Sequence, residues 1–158
     1  MGIAASDPAE QGRVVRDDGA QVLTFERLLA AAPDEVWDAI TSPDRTGAWA
    51  FPVRFEPRAG GSLAFDFGEE SIAGDVIAWE PGALLEYVWP GAEGAWHVRF
   101  VIEEAAEGRE SALTFEHLSP DPHHPDYAAG WHWHLDRLEQ HLRGETPAQV
   151  PQDEHFEE

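Results

Sequence analysis

Hydrophobic residues recur with a helical period in one long segment of the chain, residues 127–144. At about 100° per residue, five apolar side chains of this segment share one stripe. They are Tyr127, Trp131, Leu135, Leu138 and Leu142. Trp133 and Arg137 point away from the stripe. The pattern predicts an amphipathic C-terminal helix with one buried face.

Between Val53 and His117, apolar and polar residues instead alternate in short runs separated by turn residues. In residues 96–102, for example, one face of the strand carries Trp96, Val98, Phe100 and Ile102. Turn signals recur about every ten residues, which is typical of an antiparallel meander. The segment therefore predicts consecutive antiparallel strands.

The first part of the chain predicts a hairpin followed by two short helices. Residues 13–16 and 21–29 flank an Asp-Gly pair that suits a tight primed turn. Pro33 suits the first turn of a helix, and acidic residues follow it directly. Ser42-Pro43-Asp44 then opens a second short helix that runs towards Trp49.

These elements predict one domain over residues 12–144, with a disordered N-terminus over residues 1–11 and an acidic, disordered tail over residues 145–158. The chain has 31 acidic and 10 basic residues, a net charge of −21, and no cysteine. A field of this sign repels phosphate backbones and anionic lipids, so we expect neither a nucleic-acid nor a membrane partner. The N-terminus lacks the pattern of a signal peptide, and we expect a cytoplasmic protein.

Several residues in a fixed order are similar to those of a known superfamily. They include Phe25-Glu26-Arg27, Ala32-Pro33, residues 36–41 (VWDAIT), Pro43, Trp49, Gly60-Gly61, Gly74, Val76, Tyr87, Trp89, Leu113, Phe115, His117, Gly130-Trp131-His132, Leu135-Asp136 and Leu138. The chain resembles the START-like (SRPBCC, or helix-grip) superfamily, and within it the family of the activator of the heat-shock protein 90 ATPase.

The resemblance implies an α+β helix-grip fold. Its curved antiparallel sheet would have six to seven strands, with two short helices after the first strand and a long C-terminal helix across the concave face. Members of the superfamily bind apolar molecules between sheet and helix, some are cyclases or hydrolases, and the eukaryotic activators bind a chaperone. Those activators carry an additional N-terminal domain, whereas only residues 1–11 precede the predicted fold here. A chaperone partner is therefore kept only as an alternative.

Aromatic side chains on faces expected to point inward are the first candidate for function. They could line a cavity for an apolar ligand or simply fill the core. The candidate ligand-binding residues are Trp49, Phe51, Phe65, Phe67, Tyr87, Trp89, Phe100, Phe115, Trp131, His117, His134 and Arg27.

The two inward-facing polar candidates on strands each have a second interpretation. His117 could act as a general base or ligand anchor, or as a structural histidine bonded to the backbone. Arg27 could bind a ligand carboxylate or form an ion pair within the protein.

Six of the eight histidines lie within residues 117–141, a density that invites a metal site. Their spacing argues against one: His132 and His134 are about 200° apart on a helix and cannot chelate one ion. The sequence also contains no HExxH motif. We expect no metal and no cofactor.

The leading hypothesis is a protein that binds a small hydrophobic molecule between sheet and helix. One alternative is a cyclase- or hydrolase-type enzyme that uses an inward histidine in the same cavity. The other is a protein-interaction module that binds a chaperone or a regulator. A homodimer that uses an outward Trp133 is a further partner hypothesis.

Overall fold

The computed structural model describes residues 12–17, 20–66, 71–91 and 94–145. The predicted disordered N-terminus, the predicted tail after Glu145 and the candidate site residue Phe67 lie outside the described residues.

Strands make up most of the described fold. The strands are β1 (Arg13–Asp17), β2 (Ala20–Leu29), β3 (Val53–Phe55), β4 (Ser62–Asp66), β5 (Ser71–Glu80), β6 (Leu84–Trp89), β7 (Trp96–Ala105) and β8 (Glu110–Ser119). They form one sheet in the order β1-β2-β8-β7-β6-β5-β4-β3, and every neighbouring pair is antiparallel. The pairing of β2 with β8 joins the N-terminal hairpin to the last strand of the chain.

Three α-helices accompany this sheet. They are α1 (Pro33–Thr41), α2 (Pro43–Trp49) and α3 (Pro125–Leu142), and a short 3₁₀ turn, Ala106–Gly108, joins β7 to β8. Each α-helix has a proline in its first turn, where a missing amide donor costs nothing. Ser42 ends α1 and also precedes α2 in an extended conformation, because a residue before proline is restricted away from the helical region.

Alternation along the strands determines which side chains face the helices. In β2, Leu23, Phe25, Arg27 and Leu29 are all at most 5% exposed, as predicted for one face. In β8, Leu113, Phe115 and His117 share the same face and are at most 1% exposed. The apolar side chains of these two faces form one cluster with Leu135 and Leu138 of α3, so the core lies between sheet and helices.

The predicted α+β architecture, with its antiparallel sheet and a C-terminal helix across the inner face, is confirmed. The described sheet has eight strands rather than six or seven. The three-residue β3 accounts for the difference, because so short a strand carries almost no alternation. The two short helices follow the β1–β2 hairpin, and thus come after the second strand of the chain.

Candidate functional site

Helix α3 covers the inner face of the sheet with the predicted stripe. Its first turn is capped by His124, whose Nδ1 accepts a hydrogen bond from the Asp126 amide at 3.1 Å. Leu135 and Leu138 are buried, while Tyr127 and Trp131 are partly buried against the core. The N-terminal half of α3 is thus aromatic where its C-terminal half is aliphatic.

A continuous series of ring contacts runs from the sheet to this aromatic half of the helix. Phe65 on β4 lies 4.9 Å from Trp89 on β6, measured between ring centroids. Trp89 stacks on its cross-strand partner Trp96 at 5.7 Å with an interplanar angle of 7°. Trp96 lies 6.2 Å from Trp131, which in turn lies 4.5 Å from Phe115. The sequence therefore brings aromatic residues from four strands and one helix into a single cluster.

The described candidate residues differ in how completely the fold covers them. Trp49, Phe65, Tyr87, Phe100 and Phe115 are buried. Phe51, Trp89 and Trp131 are only partly buried, although they contact the same core. Sheet and helices thus cover one part of the inner surface fully and leave Trp89, Trp96 and Trp131, which contact one another through Trp96, only partly covered.

Trp96 is not among the predicted ligand-binding residues, although the alternation of β7 places it on the same face as buried Val98. Its ring contacts Trp89, Tyr127, Trp131 and the imidazole of His117 at 4.9 to 6.2 Å. The indole also covers Gly91, where a Cβ atom would lie 2.4 Å from its Nε1 atom. In the sequence, the turn between β6 and β7 is the signal that could have placed Trp96, because the hairpin register sets it opposite Trp89.

The Tyr87 ring lies at the centre of the buried part of the cluster. It is 7% exposed and contacts Phe55, Phe65, Trp89 and Phe100 at centroid distances of 5.2 to 6.4 Å. Burial raises the pKa of the Tyr87 phenol well above its usual range. The group is therefore a neutral hydrogen-bond donor and acceptor within an aromatic surface.

His117 is fully buried and its two ring nitrogens both have partners within the protein. The Trp131 indole donates to Nδ1 at 3.0 Å, and Nε2 lies in a short contact with the Pro120 carbonyl oxygen. Because the indole can only donate and the carbonyl can only accept, Nε2 carries the proton and the ring is neutral. Burial, the largest effect, lowers the pKa of His117. This arrangement matches the structural interpretation of His117, with neither nitrogen directed at a ligand.

His134 and Arg137 both bind the C-terminal end of α2. His134 Nδ1 donates to the Trp49 carbonyl at 3.0 Å, and the Arg137 guanidinium donates to the carbonyls of Trp49 and Ala48 at 3.3 and 3.1 Å. These contacts satisfy helix-terminal carbonyls that have no partner within the helix. Arg137, predicted to point away from the core, thus joins α3 to α2.

The same guanidinium lies 4.7 Å from the ring centroid of Trp133. Trp133, expected to be exposed, is partly buried under this cation. The partial burial of Trp133 therefore removes the exposed indole on which the dimer hypothesis rested.

Arg27 is buried, and its guanidinium is bonded to α3. NH1 lies 2.9 Å from Asp136 and 2.8 Å from Glu139, and NH2 lies 3.1 Å from Nδ1 of His132. Two carboxylates therefore surround one cation. Of the two interpretations of Arg27, this arrangement corresponds to ion pairs within the protein.

The convex face of the sheet carries a separate network of charged side chains. Glu86 Oε2 lies 2.5 Å from His97 Nε2, and Arg99 contacts both Glu86 and Glu116. These residues alternate with the inward-facing side chains of β6, β7 and β8. A substitution in this network changes the convex face only and can therefore serve as a control for substitutions on the concave face.

Within the described ranges, no group of three or more histidine, aspartate or glutamate side chains could hold a metal ion. Of the described helices, none is long and apolar enough to cross a membrane.

A sheet closed by a C-terminal helix, with an aromatic inner surface between them, defines a protein of the START-like helix-grip class. The chain belongs to the family described as activator of Hsp90 ATPase homolog 1-like protein, whose model matches residues 30–143. No curated protein matches the chain.

Solved structures of low sequence identity share this fold. CalU16 from Micromonospora echinospora is 24% identical, with a TM-score of 0.66, and the match covers 83% of this chain and 82% of that one. The conserved protein of unknown function EF2215 from Enterococcus faecalis is 23% identical, with a TM-score of 0.67 and coverages of 90% and 82%. The Aha1 dimer from Colwellia psychrerythraea is 16% identical, with a TM-score of 0.62 and coverages of 77% and 95%.

Proposed function

We propose that this protein binds a small hydrophobic molecule between the sheet and the N-terminal half of α3. The observation that carries the proposal is the incomplete burial of inward-facing aromatic rings, Phe51, Trp89, Trp96 and Trp131. Large apolar side chains at such positions are normally covered by the core. A ligand that covers these rings buries apolar area that is exposed to water in the fold alone, and this burial favours binding.

Recognition in such a site rests on shape and on stacking against indole and phenyl rings. The stacked pair Trp89 and Trp96 offers a flat, rigid edge, and Trp131 closes it from the helix. Aromatic partners in offset or edge-on geometry contribute about 0.5–1.5 kcal/mol beyond their buried area. A planar or partly planar molecule therefore fits this surface better than a flexible chain.

The alternative of proton transfer by an inward histidine has less support. Both nitrogens of His117 are bonded to other parts of the chain. His134 donates Nδ1 to the Trp49 carbonyl and packs between Phe51 and Trp133. A general base must reach the proton that it removes, and neither ring is directed at open space by these contacts.

Native mass spectrometry of the full chain purified from its own host tests the proposal. We expect a reproducible small-molecule adduct that is lost on denaturation. The Trp89→Ala variant, prepared in the same way, should lose most of the adduct because the stacked edge is gone. The His97→Gln variant, altered on the convex face, should retain it.

A clean apo mass for the wild-type protein, together with no binding of added neutral naphthalenes, would contradict the proposal. Equal adduct occupancy in the two variants would exclude the Trp89 surface as the site. The same spectra report a doubled mass if the chain forms a homodimer.

A further inference from the structure

Tyr87 is directed at the inner surface by its strand register. It pairs with Val76 on β5 and Val98 on β7, which are 1% and 0% exposed. Its ring is held on several sides by other aromatic rings, Phe55, Phe65, Trp89 and Phe100. The phenol therefore has one defined position next to the partly exposed edge of Trp89.

The Tyr87 residue is only 7% exposed, and its hydroxyl forms no hydrogen bond with any described part of the chain. The hydroxyl oxygen is not among the fully buried atoms that lack a partner, so it stays accessible. A tyrosine with a buried ring usually places its hydroxyl where it can reach a hydrogen-bond partner. In contrast, the three polar candidates predicted from the sequence are bonded within the protein: His117 to Trp131, His134 to the Trp49 carbonyl, and Arg27 to carboxylates of α3. Tyr87 thus offers an accessible hydroxyl on this surface that no described group of the chain engages.

The charge of the surroundings restricts what that partner can be. The Arg27 guanidinium already faces two carboxylates, and Arg137 is bonded to backbone carbonyls of α2. The chain as a whole carries a net charge of −21. An anionic ligand would enter a field of its own sign, and these two described arginines are already bonded within the protein.

We propose that the Tyr87 hydroxyl donates the hydrogen bond that selects the ligand, which is a neutral aromatic molecule bearing a carbonyl or similar acceptor oxygen. This inference rests on the proposed function and specifies its substrate class. The phenol donates to the acceptor while the rest of the ligand stacks on the Trp89 edge. A hydrocarbon of the same shape would displace any water from the hydroxyl without replacing its hydrogen bond.

A pair of probes of equal shape tests the proposal. Acetylnaphthalene and isopropenylnaphthalene share one planar skeleton and differ by a carbonyl oxygen in place of a methylene group. We expect the wild-type protein to bind the ketone roughly three- to tenfold more tightly, as measured by calorimetry. Naphthoate, the anionic counterpart, should bind more weakly than the ketone.

The Tyr87→Phe variant removes only the hydroxyl. Its affinity for the ketone should fall roughly three- to tenfold, to that for the alkene, while affinity for the alkene is unchanged. The carbonyl stretch of bound acetylnaphthalene, followed by isotope-edited infrared spectroscopy, should shift to lower frequency in the wild-type protein and return in the variant. Because no described group bonds this hydroxyl, the melting temperature should not fall.

Thr24→Val is the matched control. Thr24 carries a fully buried hydroxyl without a hydrogen-bond partner, but it lies on the opposite face of the sheet. This variant should keep the wild-type preference for the ketone.

A ketone preference that survives in Tyr87→Phe, or is absent in the wild-type protein, would overturn the role of Tyr87 and leave the proposed function standing. Failure of the wild-type protein to bind either neutral probe up to its solubility would overturn both.

Discussion

The Trp131 indole donates a 3.0 Å hydrogen bond to Nδ1 of His117, which joins the aromatic half of α3 to β8. The bond requires an unprotonated Nδ1, because an imidazolium would direct a second N–H at the indole N–H. The docking of α3 is thereby coupled to the ionisation of one buried histidine.

Stability should therefore depend on pH through His117. Its pKa is lowered in the folded protein by burial, and Asp121 and the Pro120 carbonyl only partly oppose that effect. The neutral ring stabilises the fold fully above about pH 6.5, the usual pKa of the unfolded side chain. That stabilisation is lost as pH falls from about 6.5 towards the lower folded pKa, with a slope of at most about 1.4 kcal/mol per pH unit.

The measurement is urea unfolding of the wild-type protein and His117→Gln between pH 7.5 and 5. The glutamine amide can accept from Trp131 but does not titrate. His141, whose pKa is also lowered by burial, contributes equally to both proteins and cancels in the difference. A stability difference that is constant with pH would contradict the prediction.

Removal of the Arg27 cation should destabilise the protein by about 2–4 kcal/mol, because Arg27→Met leaves two carboxylates of α3 close together without their buried partner. Asp136→Asn should cost less than about 1 kcal/mol, since Asp136 is half exposed and Glu139 still binds the cation. Urea titration of both variants measures the two free energies of unfolding. Equal losses would show that Asp136 carries the interaction.

Arg137 should stabilise the C-terminal end of α2. Arg137→Met removes donors to the carbonyls of Ala48 and Trp49, and we expect a loss of about 1–2 kcal/mol. Hydrogen exchange of the Ala50 amide, which donates to Thr46, should accelerate in this variant. Arg137→Lys keeps the charge without the planar fork and should be intermediate. Unchanged exchange at Ala50 would contradict a capping role.

Gly74 should not tolerate a methyl group. A Cβ atom at this position would lie 2.2 Å from the Val88 carbonyl oxygen and 3.0 Å from Cβ of Trp89. Strand propensity alone favours alanine, by about 0.5–1 kcal/mol, but the overlap forces β5 from β6 and should reverse the sign. We expect Gly74→Ala to cost about 1–3 kcal/mol in thermal or urea unfolding.

Gly144→Ala provides the comparison for Gly74. Its φ is +82° and nothing lies within 4 Å of its Cβ position, so only backbone strain of about 1–2 kcal/mol applies. A Gly74→Ala variant as stable as wild type would show that the two strands can separate without loss.

The positions of elements and faces could be predicted from the sequence with few differences. The stripe from Tyr127 to Leu142 is the face of α3 that meets the core, and the alternation of β2 and β8 correctly placed Arg27 and His117 inside. The short β3 was harder to recognise, because three residues do not establish a period. The candidate aromatic residues within the described ranges do meet the core, but the pattern could not separate buried Tyr87 from partly exposed Trp89.

The sequence by itself determined the order of strands and helices and the inward side of each, because helical and strand periods follow from local backbone geometry. Only the tertiary structure decided which polar groups are already bonded. Arg27 meets Asp136 across 109 residues of chain, and His117 meets Trp131 only once α3 is docked. Such pairings depend on strand register and helix placement, which local periodicity does not encode. They engage both polar residues, His117 and Arg27, that the sequence favoured as ligand anchors.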